Sequence, residues 1–188
     1  MDMSTRARHA VLILGVLIGS WYGMMAVHEL GHVLGASATG GRVERVVLEF
    51  TSFSRTDVHP NPSPLLVAWA GPLVGVTLPC LCWAAAAATR WRRAPLLRFW
   101  AGFCLLANGA YIGAGSFGRV GDAGDLINHG SPPWTLWTFG LTTACAGLAL
   151  WNGTGRYFGL DRTPSPTGLS TRASITWLMA WMAVVAIV

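Results

Sequence analysis

Five long apolar segments, separated by short polar connections, dominate this 188-residue sequence. They cover about residues 9–38, 65–88, 96–115, 133–150 and 173–188. Most approach the ~20 residues that a helix needs to cross the hydrocarbon core of a bilayer. Only 11% of the residues are charged, against ~25% in soluble domains. The sequence therefore predicts an all-α polytopic membrane protein with about five transmembrane helices, in which residues 1–188 form a single integral membrane domain.

The distribution of basic residues argues against a nucleic-acid partner. All 13 are arginines, and they are scattered between the apolar segments instead of forming a stripe. Nine of them lie in connections on the same side as the N-terminus and four on the other side, so the positive-inside rule places the N-terminus in the cytoplasm. We expect the lipid bilayer to surround the chain, in the plasma membrane of a bacterium.

The first apolar segment contains the HExxH motif His28-Glu29-Leu30-Gly31-His32. On a helix, His28 and His32 leave the same face one turn apart, so both imidazoles can bind one zinc ion. Glu29 is then close enough to act on a metal-bound water. An ionisable side chain within hydrocarbon costs at least about 2–3 kcal/mol, which makes it a functional-site hypothesis. The motif predicts one zinc per chain, with His28 and His32 as ligands and Glu29 as the catalytic residue.

Small residues and turn residues organise the segment around this motif. Glycines recur at multiples of four positions, at Gly15, Gly19, Gly23, Gly31 and Gly35. Such a ridge lets a neighbouring helix approach closely. Gly40-Gly41 ends the helix, and residues 42–53 predict one strand or a short hairpin at the membrane surface. Its open edge could accept an extended peptide by strand addition, and a plain connection is the equal alternative.

A third zinc ligand is expected from the stretch that follows the third apolar segment. Gly121-Asp122-Ala123-Gly124-Asp125 carries two carboxylates, and we expect irregular chain there, buried in protein or facing water. Two histidines and one carboxylate form a common catalytic zinc set. Either Asp122 or Asp125 could therefore complete the site, and a solvated loop with an aspartate as helix cap is the alternative.

In these residues the chain resembles the site-2 protease family of intramembrane zinc metalloproteases. The matching parts are the HExxH motif, Ala70-Gly71-Pro72 in the second segment and the stretch around Asp122. That family usually brings its third ligand in an Asn-x-x-Pro stretch followed by Leu-Asp-Gly-Gly, and here no proline follows Asn108. The register of the resemblance makes Asp122 the third ligand. It also implies a catalytic core over residues 9–130, with two additional transmembrane segments over residues 131–188.

The resemblance implies a zinc metalloendopeptidase that hydrolyses peptide bonds of membrane-spanning or membrane-anchored proteins. Asn108, a polar side chain at membrane depth, is a candidate for binding the substrate, with helix packing as the equal alternative. Two other classes stay open, a catalytically inactive membrane scaffold that binds partner helices and a zinc transporter or sensor. The intact Glu29 argues against the scaffold, and the single ligand cluster argues against the transporter. The oligomeric state does not follow from the sequence.

Overall fold

The computed structural model describes residues 3–49, 54–160 and 169–187. Within them, six α-helices follow one another along the chain: α1 (Met3–Ala38), α2 (Pro64–Ala88), α3 (Ala94–Gly118), α4 (Gly121–Asn128), α5 (Pro133–Trp151) and α6 (Thr171–Ile187). A short 3-10 helix, Thr154–Phe158, follows α5. Strands β1 (Val43–Val47) and β2 (Arg55–Val58) form an antiparallel hairpin between α1 and α2. The predicted fold class, a helical protein with a hairpin after the first helix, is confirmed.

In the described part of the chain, three helices are long and apolar enough to cross a membrane: Ala7–Ala38 of α1, and the whole of α2 and α3. The two further segments that the sequence predicts as spans form the helices α5 and α6, but neither is both long enough and apolar enough to count as a candidate span. α6 has only 17 residues, and the threonines and tryptophans of α5 lower its mean hydropathy. The described residues thus contain three candidate membrane spans, in keeping with an integral membrane protein.

The glycine ridge of α1 packs against two different helices. In the N-terminal half, a Cβ added at Gly19 would lie 2.6 Å from the Trp177 ring of α6. In the C-terminal half, a Cβ added at Gly31 would overlap the backbone of Ala70 and Gly71 on α2. Close approach of backbones is the packing that small residues permit between membrane helices. The ridge therefore seats α6 along one half of α1 and α2 along the other half.

The glycine-rich stretch after α3 forms a helix, and our expectation of irregular chain there was wrong. Its glycines allow close approach to α3 and to the connection that follows it. A Cβ at Gly121 would overlap the Tyr111 hydroxyl, and one at Gly124 would overlap the Arg119 carbonyl. Gly121 also has a φ of +51°, which L side chains rarely adopt. Leu126 of α4 is fully buried and packs with Ile112 of α3 and Leu136 of α5, which fixes α4 against these two helices.

Candidate active site

Three side chains converge at the junction of α1 and α4. His28 and His32 project from the same face of α1, with their Nε2 atoms 3.1 Å apart. The Oδ2 atom of Asp122, in the first turn of α4, lies 2.6 Å from Nε2 of His28 and 3.2 Å from Nε2 of His32. Among the described residues this is the one cluster of histidine, cysteine and carboxylate side chains that could hold a metal ion. Asp125 is exposed and does not join it.

In both histidines, Nδ1, the ring nitrogen that points away from the cluster, donates a hydrogen bond to an oxygen atom. Nδ1 of His28 donates to Oδ1 of Asn108 at 2.6 Å, and Nδ1 of His32 donates to the carbonyl of Val67 at 2.8 Å. The Asn108 amide is oriented by its own Nδ2, which donates to the Cys104 carbonyl at 2.9 Å. Because Nδ1 carries the proton in each ring, the Nε2 lone pairs point toward the cluster. This is the arrangement in which proteins hold metal-binding histidines.

Two glycines of α2 leave room for these side chains. A Cβ at Gly71 would overlap the His32 imidazole, and a Cβ at Gly75 would lie 2.8 Å from Oδ1 of Asn108. The Ala70-Gly71-Pro72 motif in this helix thus has a steric reason, since any larger residue at Gly71 would displace His32. The spacing of Gly71 and Gly75, one turn apart, aligns both gaps on the face of α2 that meets the site.

Asp122 is fixed by its position at the start of α4. Its backbone N–H donates to the Tyr111 hydroxyl at 3.1 Å, which satisfies one of the open N–H groups of this helix end. Burial raises the pKa of the Asp122 carboxyl, but when Nε2 of His28 and His32 also carries a proton, the hydrogen bonds from these two atoms outweigh this effect and hold the pKa well below its usual range. The side chain is therefore a carboxylate at neutral pH, which is the form that binds metals.

Glu29 lies beside the cluster and has one protein partner of its own. Only 3% of the residue is exposed, and its Oε2 atom accepts a 2.7 Å hydrogen bond from the Thr56 hydroxyl on β2. The hairpin therefore contacts the HExxH motif directly. Sequence reasoning missed Thr56, because nothing local connects a threonine in a hairpin with a glutamate 27 residues earlier. Tyr111 was also missed, although its position one turn after Asn108 places it on the same face of α3.

A polar cavity of about 690 Å³ opens onto the cluster. Its walls come from α1, the hairpin and the connection after it, the start of α2, α3 and α4, and they include Glu29, His32, Asp57, His59, Asp122 and Asp125. Counting 1.5 Å per residue, the histidines lie about 9–15 Å along the axis from the C-terminal end of α1. The site is thus inside the apolar part of the molecule but within reach of water from this end.

The arrangement fits a zinc ion. Zinc ligands bound at about 2.0–2.1 Å in a tetrahedral set lie roughly 3.3 Å from one another. The separations of 3.1 and 3.2 Å are close to this value, whereas the 2.6 Å between His28 and Asp122 is that of a short hydrogen bond and would have to lengthen. Three electron-rich atoms at these distances repel one another unless a positive charge, a proton or a metal ion, lies between them. The donor set of two neutral imidazoles and one carboxylate also leaves a fourth position for water or substrate.

Fold and site together define a helical membrane protein with a motif of the metalloprotease type at membrane depth. The family model described as Peptidase M50B-like matches residues 7–112, more than half of the chain. The chain belongs to this peptidase family, in agreement with its resemblance to the site-2 proteases. The matched range contains His28, Glu29, His32 and Asn108 and stops before Asp122. Searches among curated proteins and among solved structures found no significant match.

Proposed function

We propose that this member of the peptidase family is a zinc-dependent intramembrane endopeptidase that cuts membrane-spanning or membrane-anchored proteins. The observation that carries the proposal is the convergence of two Nε2 atoms and one carboxylate oxygen within 3.2 Å of one another, with Glu29 beside them. His28, His32 and Asp122 would hold one zinc per chain. A zinc ion bound there would supply the Lewis acidity that polarises a scissile carbonyl and lowers the pKa of a water.

Glu29 is the general base and acid of the proposed reaction. It takes a proton from the attacking water and delivers it to the leaving amine. Thr56 holds one carboxylate oxygen of Glu29 by its 2.7 Å hydrogen bond, so the other oxygen is left for the water. The polar cavity between the hairpin and α4 admits water to this point. The reaction therefore uses a base that is buried among apolar helices yet borders a hydrated space.

Asn108 contributes to the proposed reaction by positioning a ligand. Only 1% of Asn108 is exposed. Both polar atoms of its amide already have partners, Oδ1 in His28 and Nδ2 in the Cys104 carbonyl. These contacts favour a role in fixing the tautomer and the direction of the His28 ring over direct contact with substrate.

The substrate is a transmembrane segment that is unwound before cleavage. Backbone groups in a lipid-embedded helix are all hydrogen-bonded within the helix, so a protease must expose the bond first. The hairpin offers a way to stabilise the extended form, since β1 pairs with β2 alone in the described part of the chain. A substrate segment added as a further strand would have its backbone groups satisfied beside Glu29.

The proposed location is a bacterial plasma membrane, with the site toward the outer face. The connections around the site hold only Arg42, Arg45, Arg55 and Arg119, whereas the eight other arginines in the described part of the chain lie toward the opposite end. By the positive-inside rule the opposite end is cytoplasmic. We also propose that residues 9–130 form the catalytic core, since His28, Glu29, His32 and Asp122 fall within them.

The test compares wild type with Glu29→Gln, which is nearly isosteric but cannot accept the proton. Both proteins are purified and incubated with detergent-solubilised membrane proteins, and new N-termini are identified by mass spectrometry. We expect one zinc per chain in both, and new termini within transmembrane segments only with wild type. Zinc binding without cleavage in wild type would indicate a sensor or transporter. Absence of both zinc binding and cleavage in wild type would favour a catalytically inactive scaffold.

A further inference from the structure

A second cavity lies on the other side of Glu29 from the polar one. Its volume is about 530 Å³, and apart from Glu29 its described walls are apolar or aromatic. They come from α1, β1, α2, α3 and α6, and they include Ala26, Leu30, Val33, Val46, Trp100 and Trp181. Glu29 is thus a wall that the two cavities share.

The helical period of α1 explains this division. At 3.6 residues per turn, Glu29 lies between the face that carries His32 and the face that carries Ala26, Leu30 and Val33. The first face meets the metal-binding cluster and the polar cavity. The second meets the apolar cavity. A peptide bond brought to Glu29 therefore lies at the boundary between the two spaces.

The residues of the hairpin are also divided between the two cavities. Glu44 lines the polar cavity, whereas Val46 and Leu48, further along the chain, line the apolar one. Val46 is paired with Thr56, the residue that contacts Glu29. An extended segment laid along β1 would therefore pass from one cavity to the other at the position of the base. Alternate side chains of such a segment point to the same face, so one of them faces the apolar cavity.

We propose that the apolar cavity receives the side chain of the substrate residue next to the scissile bond, and that it selects large aliphatic or aromatic residues. This inference rests on the proposed protease function. The polar cavity is lined by carboxylates and histidines and suits water, so the apolar side chains of a membrane segment belong in the other one. A lipid chain is the competing occupant, but the shared wall with Glu29 and the contact with β1 favour the substrate.

The test measures binding to zinc-loaded protein in phosphatidylcholine nanodiscs and needs no catalysis. The probes are peptidic hydroxamates whose side chain next to the zinc-binding group is that of alanine, leucine or tryptophan. We expect the leucine probe to bind at least about tenfold more tightly than the alanine probe, because each buried methylene contributes roughly fourfold in affinity.

Two substitutions on α1 provide the contrast. Ala26→Trp fills the cavity and should reduce the leucine-to-alanine ratio to about twofold or less. Leu34→Trp adds the same ring at a position that is 50% exposed and outside the cavity walls, and it should leave the ratio unchanged. Equal binding of all probes to wild type, as expected for a lipid-filled cavity, would overturn the inference. A ratio that survives Ala26→Trp would also overturn it.

A third variant keeps the test decisive if Ala26→Trp does not fold. Trp181→Ala enlarges the cavity, and we expect the tryptophan probe to gain affinity relative to the leucine probe. An unchanged order of affinities in this variant counts against the cavity. Failure of the proposed function looks different, since wild type would then retain no zinc, bind no probe in the series, or bind zinc without cutting membrane proteins in the comparison with Glu29→Gln. Binding without any preference removes the cavity inference alone.

Discussion

Asn108 on α3 accepts a 2.6 Å hydrogen bond from His28 on α1, and this bond joins residues 80 positions apart in the chain. The bond fixes which nitrogen of His28 carries the proton. It also ties the orientation of the imidazole to the packing of α3, because the same amide donates to the Cys104 carbonyl one turn earlier. The direction of the His28 ring on α1 is thus set by a neighbouring helix.

Replacing Asn108 by leucine should weaken zinc binding roughly 10–100-fold, because the proton of His28 loses its acceptor and can move to the nitrogen that faces the metal. A zinc-competition titration with a fluorescent chelator measures the effect. Ser116→Ala, another buried polar position on α3, is the matched control and should keep wild-type affinity. Unchanged affinity in Asn108→Leu would show that the bond does not orient the ring.

Replacing Thr56 by valine should lower kcat roughly tenfold or more while leaving zinc content and KM unchanged, because a hydrogen bond to a charged group is lost. Thr56→Ser should restore most of the rate. Thr77→Val is the control, since this exposed threonine donates only to a carbonyl of its own helix. A parallel fall in zinc content would mean that Thr56 acts on the fold of the hairpin and not on Glu29.

Asp122→Asn should leave the protein nearly free of zinc, whereas Asp125→Asn should lose little affinity. Oδ2 of Asp122 lies within 3.2 Å of both Nε2 atoms, but Asp125 is exposed at the rim of the polar cavity. Loss of a ligand costs far more than the roughly 10–100-fold loss typical of an outer partner. Elemental analysis after dialysis distinguishes the two variants, and the reverse order would assign the metal to Asp125.

Cysteine labelling should locate the site toward the outer face of the membrane. In a background with all four native cysteines replaced by alanine, His59→Cys lies in the wall of the polar cavity and Arg92→Cys lies at the opposite end. A membrane-impermeant maleimide should label the first in intact cells and the second only after permeabilisation. The reverse pattern would put the site toward the cytoplasm.

The sequence predicted the helices well, and also that His28 and His32 lie on one face of α1, because apolar length and the i, i+4 spacing are local properties. α2 and α5, for example, begin and end within one residue of their expected limits. It could not predict that Thr56 reaches Glu29, since that contact depends on how the hairpin folds back over α1. The helical form of α4 was missed for a related reason, because Gly121 and Gly124 serve close packing against Tyr111 and Arg119, which the sequence does not reveal.

The separation of the metal-binding residues also orders events during synthesis. His28 precedes its partner Asp122 by 94 residues, so the HExxH helix is made long before the carboxylate exists. At about 5–20 residues per second, the ribosome needs roughly 5–20 s to cover that distance. During this interval the nascent chain has two histidines and a glutamate but lacks Asp122. If the proposed function holds, metal loading is therefore a late step of biogenesis, and cleavage of neighbouring proteins would wait until α4 has emerged and docked.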